Sequence, residues 1–140
     1  MQVDYSDAAK GHWEDAAYLW EASRLANADH LFGLSAECSL KAVMISLGMG
    51  LGKDDAPRER RHRVHINNLW TEFITFAQSR NGAHYVALMS GMVDPFADWH
   101  VNQRYWQRSY ITKQVAESHR QAAHIARQVL GAAISAGGVT

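Results

Sequence analysis

The sequence predicts an all-α fold, an antiparallel four- to five-helix bundle with a long central second helix. Three observations carry that expectation. Only two prolines occur in 140 residues, so few positions force the chain out of a helix. No run of alternating β-branched residues marks a half-buried strand. Apolar residues instead recur at three- and four-residue steps in several segments, separated by glycine, proline and asparagine. The length suits one domain, residues 1–140, with a core that needs neither disulfide nor metal.

The first helix is expected after Ser6 as N-cap, with Asp7 in its first turn, running to about Ala22. Ala9, Trp13, Ala16 and Trp20 form its apolar face. The short connection at Ser23 to Asn27 returns the second helix antiparallel to the first. That helix, Leu25 to about Gly50, is apolar almost all round apart from Asp29 and a narrow stripe of His30, Glu37 and Lys41. The three lie within about 40° of one another in helical projection. Ionisable groups on an otherwise buried helix must be paired or open onto a cleft. Glu37 and Lys41 also form an i, i+4 ion pair, which on its own can be purely structural.

From Gly48 to Val64 the pattern gives way to a loop with three glycines, Pro57 and a locally basic end at Arg58, Arg60, Arg61 and Arg63. A third helix from His65 to about Ser79 buries Ile66, Leu69, Trp70, Phe73, Phe76 and Ala77. A shorter one from about Ala83 to Val93 turns Tyr85, Leu88, Met89 and Met92 inward, and Asp94-Pro95 ends it. Residues 96–111, FADWHVNQRYWQRSYI, have no single period and read as irregular or short-helical, with Trp99 and Trp106 assigned to the core. The last helix starts after Thr112 and runs to about Ala136, before Gly137-Gly138, with His119 inside its alanine-rich buried stripe.

Lys plus Arg and Asp plus Glu both number 14, so net charge gives no push towards nucleic acid. Cys38 is the only cysteine, so no intrachain disulfide is possible, and its place on the central helix makes it an inert core thiol. The amino-terminal stretch lacks the layout of a secretory signal. Asp29, His30, Glu37 and Lys41 would make a membrane span costly, so no membrane partner and a cytoplasmic protein are expected. The eight histidines lack zinc-site spacing: His62 and His65 are three apart, His119 and His124 five. No glycine-rich phosphate loop or nucleophile elbow occurs, and neither a metal nor a cofactor is expected.

The chemistry-bearing set is then His30, Glu37, Lys41, His65, His100, Arg104 and Tyr105. An imidazole that moves a proton beside a guanidinium that steadies phosphate charge cleaves RNA without metal. Clustered tryptophan, tyrosine and arginine equally stack bases, or simply pack a core.

The order of motifs resembles the HEPN family, the higher eukaryotes and prokaryotes nucleotide-binding domains. It comprises HWEDAAYL at 12–19, ANADHLFGLSAECSLKAVM at 26–44, a loop, HINNLW at 65–70 and the Arg104-Tyr105 pair before the last helix. The resemblance implies a helical bundle, often a homodimer. It implies either an RNase of toxin–antitoxin or defence systems or a noncatalytic nucleotide- or RNA-binding partner of a nucleotidyltransferase. Catalytic members carry arginine, four to six residues, then histidine; after Arg104 those positions hold Ser109, Tyr110 and Ile111. Arg60 and His65 fit that string, as do Arg58 and His65, in the loop before the third helix. The leading expectation is therefore a HEPN-like domain that binds a nucleotide, RNA or a partner protein through the His30, Glu37 and Lys41 stripe and the Arg104-Tyr105 segment. The alternatives are a metal-independent RNase using Arg60 or Arg104 with His65 or His100, and a noncatalytic interaction module whose stripe only fixes packing.

Overall fold

A computed structural model describes residues 2–139. It contains five α-helices: α1 (Tyr5–Glu21), α2 (Leu25–Ser46), α3 (Ile66–Gln78), α4 (Ala83–Leu88) and α5 (Lys113–Ser135). Short 3₁₀ turns occupy Arg60–His62, Val101–Tyr105 and Arg108–Tyr110. Among the described residues there is no strand, and no helix is long and apolar enough to cross a membrane.

Helix α1 begins earlier than the Ser6 cap predicts, because the Asp4 carboxylate accepts from the Asp7 amide at 2.9 Å and starts the helix at Tyr5. Residues 22–24 reverse the chain, with Ser23 in the left-handed region at φ 60°. The two helices then run antiparallel: Ser35 Oγ donates to the Ala9 carbonyl at 2.8 Å, while Trp13 and Trp20 meet Phe32 edge-on. Helix α2 stops at Ser46, short of the expected Gly50. Gly48 takes φ 96°, and the Gly48 and Met49 amides donate back to the Ile45 and Met44 carbonyls, so the chain closes on itself.

The last helix starts as expected, with Thr112 Oγ1 accepting from the Val115 amide at 3.2 Å. It runs alongside α2 in the same direction, with His119 beside Asp29 near one end and Gly138 beside Ser46 at the other. Against α1 it is antiparallel, Arg120 lying over Trp20 and His124 beside Trp13. Fully buried Ala28, Ala36, Ala122, Ala126 and Ala133 leave little side-chain bulk in this layer. Helix α2 is thus central, covered by α1 and α5 on one side and by α3 on another.

Helix α3 buries the six residues of its predicted face. Its far end is pinned where the Arg80 guanidinium donates to the Leu47 and Gly48 carbonyls. Helix α4 ends at Leu88 rather than Val93, since Ser90 and Gly91 both adopt positive φ and turn the chain away. Tyr85 and Met89 face the core as expected, but Leu88 is exposed. Residues 96–111 divide sharply: Phe96, Trp99 and Gln103 are buried, whereas Tyr105, Trp106 and Tyr110 are not. The core assignment holds for Trp99 and fails for Trp106, because the Val101–Tyr105 turn points successive side chains in different directions.

Candidate functional site

The α2 stripe is the base of the candidate site. Glu37 sits between two partners: its Oε2 accepts from Lys41 Nζ at 3.0 Å, and its Oε1 lies 3.0 Å from His65 Nδ1. Glu37 and Lys41 are buried, whereas His65, the residue that caps α3, is half exposed. Burial alone would raise the Glu37 carboxyl, but the His65 hydrogen bond and the Lys41 charge outweigh it and hold the group below the usual carboxylate range. Lys41 also lies 5.8 Å from the centre of the Tyr5 ring. With its charge matched and its ammonium enclosed, Lys41 is suited to orienting Glu37, and Glu37 in turn to orienting His65.

His30 shares the stripe but bonds to neither Glu37 nor Lys41. It stacks on Trp99, ring centres 5.6 Å apart and planes 6° from parallel, and His65 approaches the same indole at 6.4 Å. Trp99 is therefore the link that joins His30 to His65. Burial, followed by the positive charge of Arg104, pushes the His30 imidazole below its ordinary value. Its Nδ1 has no hydrogen-bond partner among the described residues.

The indole reaches this place through a gap in α2. A Cβ built on Gly33 would land on the Cε2 and Nε1 atoms of Trp99, so only glycine admits the ring. Trp99 Nε1 completes the fit by donating to the Asp29 carbonyl at 3.2 Å.

A second buried polar group, absent from the predicted site, lies one turn away. His119 is 1% exposed and has Asp29 Oδ1 2.6 Å from its Nδ1 and Asp98 Oδ1 2.6 Å from its Nε2. Gln103 Nε2 donates to the other Asp29 oxygen at 2.6 Å. Burial would lower the His119 imidazole, but the hydrogen bonds and charges of Asp29 and Asp98 outweigh it and raise it. The network joins α2, α5 and the 96–106 segment. The signal was in the sequence: a histidine inside an alanine stripe and an aspartate on an apolar helix each need a buried partner.

The outer part of the site is the Val101–Tyr105 turn and its continuation. His100 caps the turn, its Nδ1 accepting from the Asn102 amide at 3.0 Å, and its ring lies against Trp106. The Arg104 guanidinium donates to the Val101 carbonyl at 2.7 Å and lies over the Tyr105 ring at 4.6 Å. Tyr105 is 75% exposed, Tyr110 69% and Trp106 44%. Arg60, in the turn before α3, is exposed, and its side chain makes no ion pair or hydrogen bond among the described residues.

Of the predicted residues, His30, Glu37, Lys41 and His65 therefore form one row along α2. Arg104 borders that row through its charge on His30, His100 and Tyr105 belong to the exposed turn, and Arg60 stands apart. Surface hollows of about 590, 500 and 440 Å³ are lined by other residues. Among the described residues no cluster of three or more His, Cys, Asp or Glu has metal-site geometry. Cys38 is half-buried, and burial, with the Glu37 charge, pushes its thiol up to about 12, so it is a poor nucleophile. No family model, curated protein or solved structure matches this chain.

Proposed function

We propose that this chain is a HEPN-like helical domain that binds single-stranded RNA or a nucleotide on the 100–110 segment. The observation that supports this reading is the outward display of Tyr105, Trp106 and Tyr110 interleaved with Arg104 and Arg108. Exposed aromatic faces bind any base by stacking, and guanidinium groups beside them meet the phosphates. His30, Glu37 and Lys41 support this surface from beneath, through Trp99 and His65. The same reading makes the protein a cytoplasmic homodimer that works beside a nucleotidyltransferase or antitoxin partner.

Fluorescence anisotropy with labelled short single-stranded RNA tests the proposal, with nucleotides as competitors and light scattering on the same samples for the oligomeric state. Saturable binding that weakens as salt rises is expected, and Tyr105→Ala combined with Trp106→Ala reduces affinity at least about tenfold. A folded protein that binds neither RNA nor nucleotides would overturn it.

A second reading, metal-independent RNA cleavage, is favoured by one observation: Glu37 holds a half-exposed His65 by one ring nitrogen and leaves the other for a proton transfer. Arg60 or Arg104 would steady the phosphate, with His100 as the alternative proton carrier. Cleavage that persists in EDTA and disappears in His65→Ala or His100→Ala supports this reading; intact RNA after incubation with clean wild-type protein removes it.

A further inference from the structure

We infer that His119 is a positioning residue for the ligand-binding segment, holding residues 98–106 against the bundle only while both of its ring nitrogens carry protons. The inference rests on the proposed binding role of that segment, but its geometry is independent of any ligand.

Each His119 nitrogen lies 2.6 Å from a carboxylate oxygen, Asp29 on one side and Asp98 on the other. A carboxylate has no proton to give, so both bonds require N–H donors on the ring, and a neutral imidazole has only one. The charged groups that face the ring are Asp29 on α2 and Asp98 on the segment, with uncharged Phe96 stacked on it, and the other buried residues of its own helix carry no charge. Phe96 covers one ring face at 5.2 Å, which leaves little water to replace a lost partner.

The two carboxylates are not equivalent. Asp29 is fully buried and also held by Gln103, whereas the Asp98 side chain is 62% exposed and has water at hand. When the ring loses a proton to solvent, its bare nitrogen faces a carboxylate, and the arm that gives way is Asp98. Asp98 adjoins Trp99 and stands at the base of the Val101–Tyr105 turn. Its release loosens the stretch that leads to Arg104, Tyr105 and Trp106, while the Trp99 and Gln103 bonds to Asp29 keep the segment tethered. The order of the surface is thus tied to the protonation of a histidine buried beneath it.

The test reads His119 and the segment together, by ¹⁵N imidazole shifts and backbone amide shifts on the full chain, from acid to alkaline pH. His119 is expected to start doubly protonated and to titrate above the ordinary imidazole range, with the amides of residues 97–106 moving at the same midpoint. Asp98→Asn, a change at an exposed side chain, is expected to lower that midpoint by about one pH unit, and Asp98→Glu to keep it near wild type. In parallel, RNA affinity falls across the same midpoint and follows the same shift in Asp98→Asn. A His119 ring that stays doubly protonated throughout, segment amides that do not follow it, or RNA affinity that ignores the midpoint would overturn the inference. Failure to bind RNA at every pH would overturn the proposed function instead, and the amide shifts would still decide whether His119 positions the segment.

Discussion

Gly33→Ala is expected to lower the melting temperature by about 10 °C, corresponding to a loss of about 3 kcal/mol. The sign is the informative part, because replacing a mid-helix glycine by alanine ordinarily stabilises a helix by up to about 1 kcal/mol. At Gly33 the added methyl meets the indole of Trp99, which is 1% exposed, stacked on His30 and bonded to the Asp29 carbonyl. A ring held on so many sides has no free direction in which to move. Either α2 shifts away from the 96–106 segment or Trp99 leaves its place and exposes its apolar surface. Gly11 in α1 and Gly131 in α5 are controls within the same fold, since an added Cβ at either has nothing within 4 Å. Thermal melts of the three alanine variants check the prediction. A Gly33→Ala protein that melts with the two controls, at or above wild type, would show that the indole is not seated in the α2 gap.

Asp29→Ala is the other change with a large expected effect, a loss of about 3–5 kcal/mol in chemical denaturation. The Asp29 carboxylate is fully buried and serves two donors, His119 Nδ1 and Gln103 Nε2. Its removal leaves the Gln103 Nε2 donor without its partner, the imidazolium with one carboxylate instead of two, and a void where the side chain stood. Asp29→Asn keeps the shape and one acceptor oxygen but not the charge, so its expected loss is smaller.

The pH dependence separates charge from packing. His119 is raised in the folded state, so its contribution is complete below the ordinary imidazole value of 6.5 and is lost as pH rises through the folded value. Glu37 is lowered, so its contribution is complete above 4.5, the ordinary carboxyl value, and is lost as pH falls through the folded value. Wild-type stability is therefore expected to decline on both sides, and Asp29→Ala to flatten the alkaline side while leaving the acid side in place. Equal pH profiles for the two proteins would count against the buried His119 charge.

The helices were legible because each carries its own period and stop signals. The face of α3, the Thr112 cap and the short return after Ser23 depend on residues within a turn or two of one another. The boundaries that moved, at Asp4, Ser46 and Leu88, moved where a nearby backbone or carboxylate partner decided between adjacent positions. For the site, helical projection placed Glu37 beside Lys41, since both are on one helix. It did not reveal that His65 completes the pair, or that Trp99 fills the space between His30 and His65, because those contacts cross from one element to another. Asp29 and His119 were each visible as a polar residue on an apolar face, but pairing them requires knowing that α5 lies along α2. Trp106 shows the complementary difficulty: in an irregular segment no period says which aromatic ring is turned inward.

The span between Asp29 and His119 also bears on how the protein is made. The two residues are separated by 90 positions, whereas α1 and α2 are joined by only residues 22–24. Closing a short loop costs less entropy than closing a long one. During synthesis from the amino end, the first two helices can meet as soon as they leave the ribosome, yet the carboxylate of Asp29 has no cation to receive it until residue 119 has been added. Burial of that carboxylate with its native ion-pair partner therefore follows the synthesis of α5 and cannot precede it.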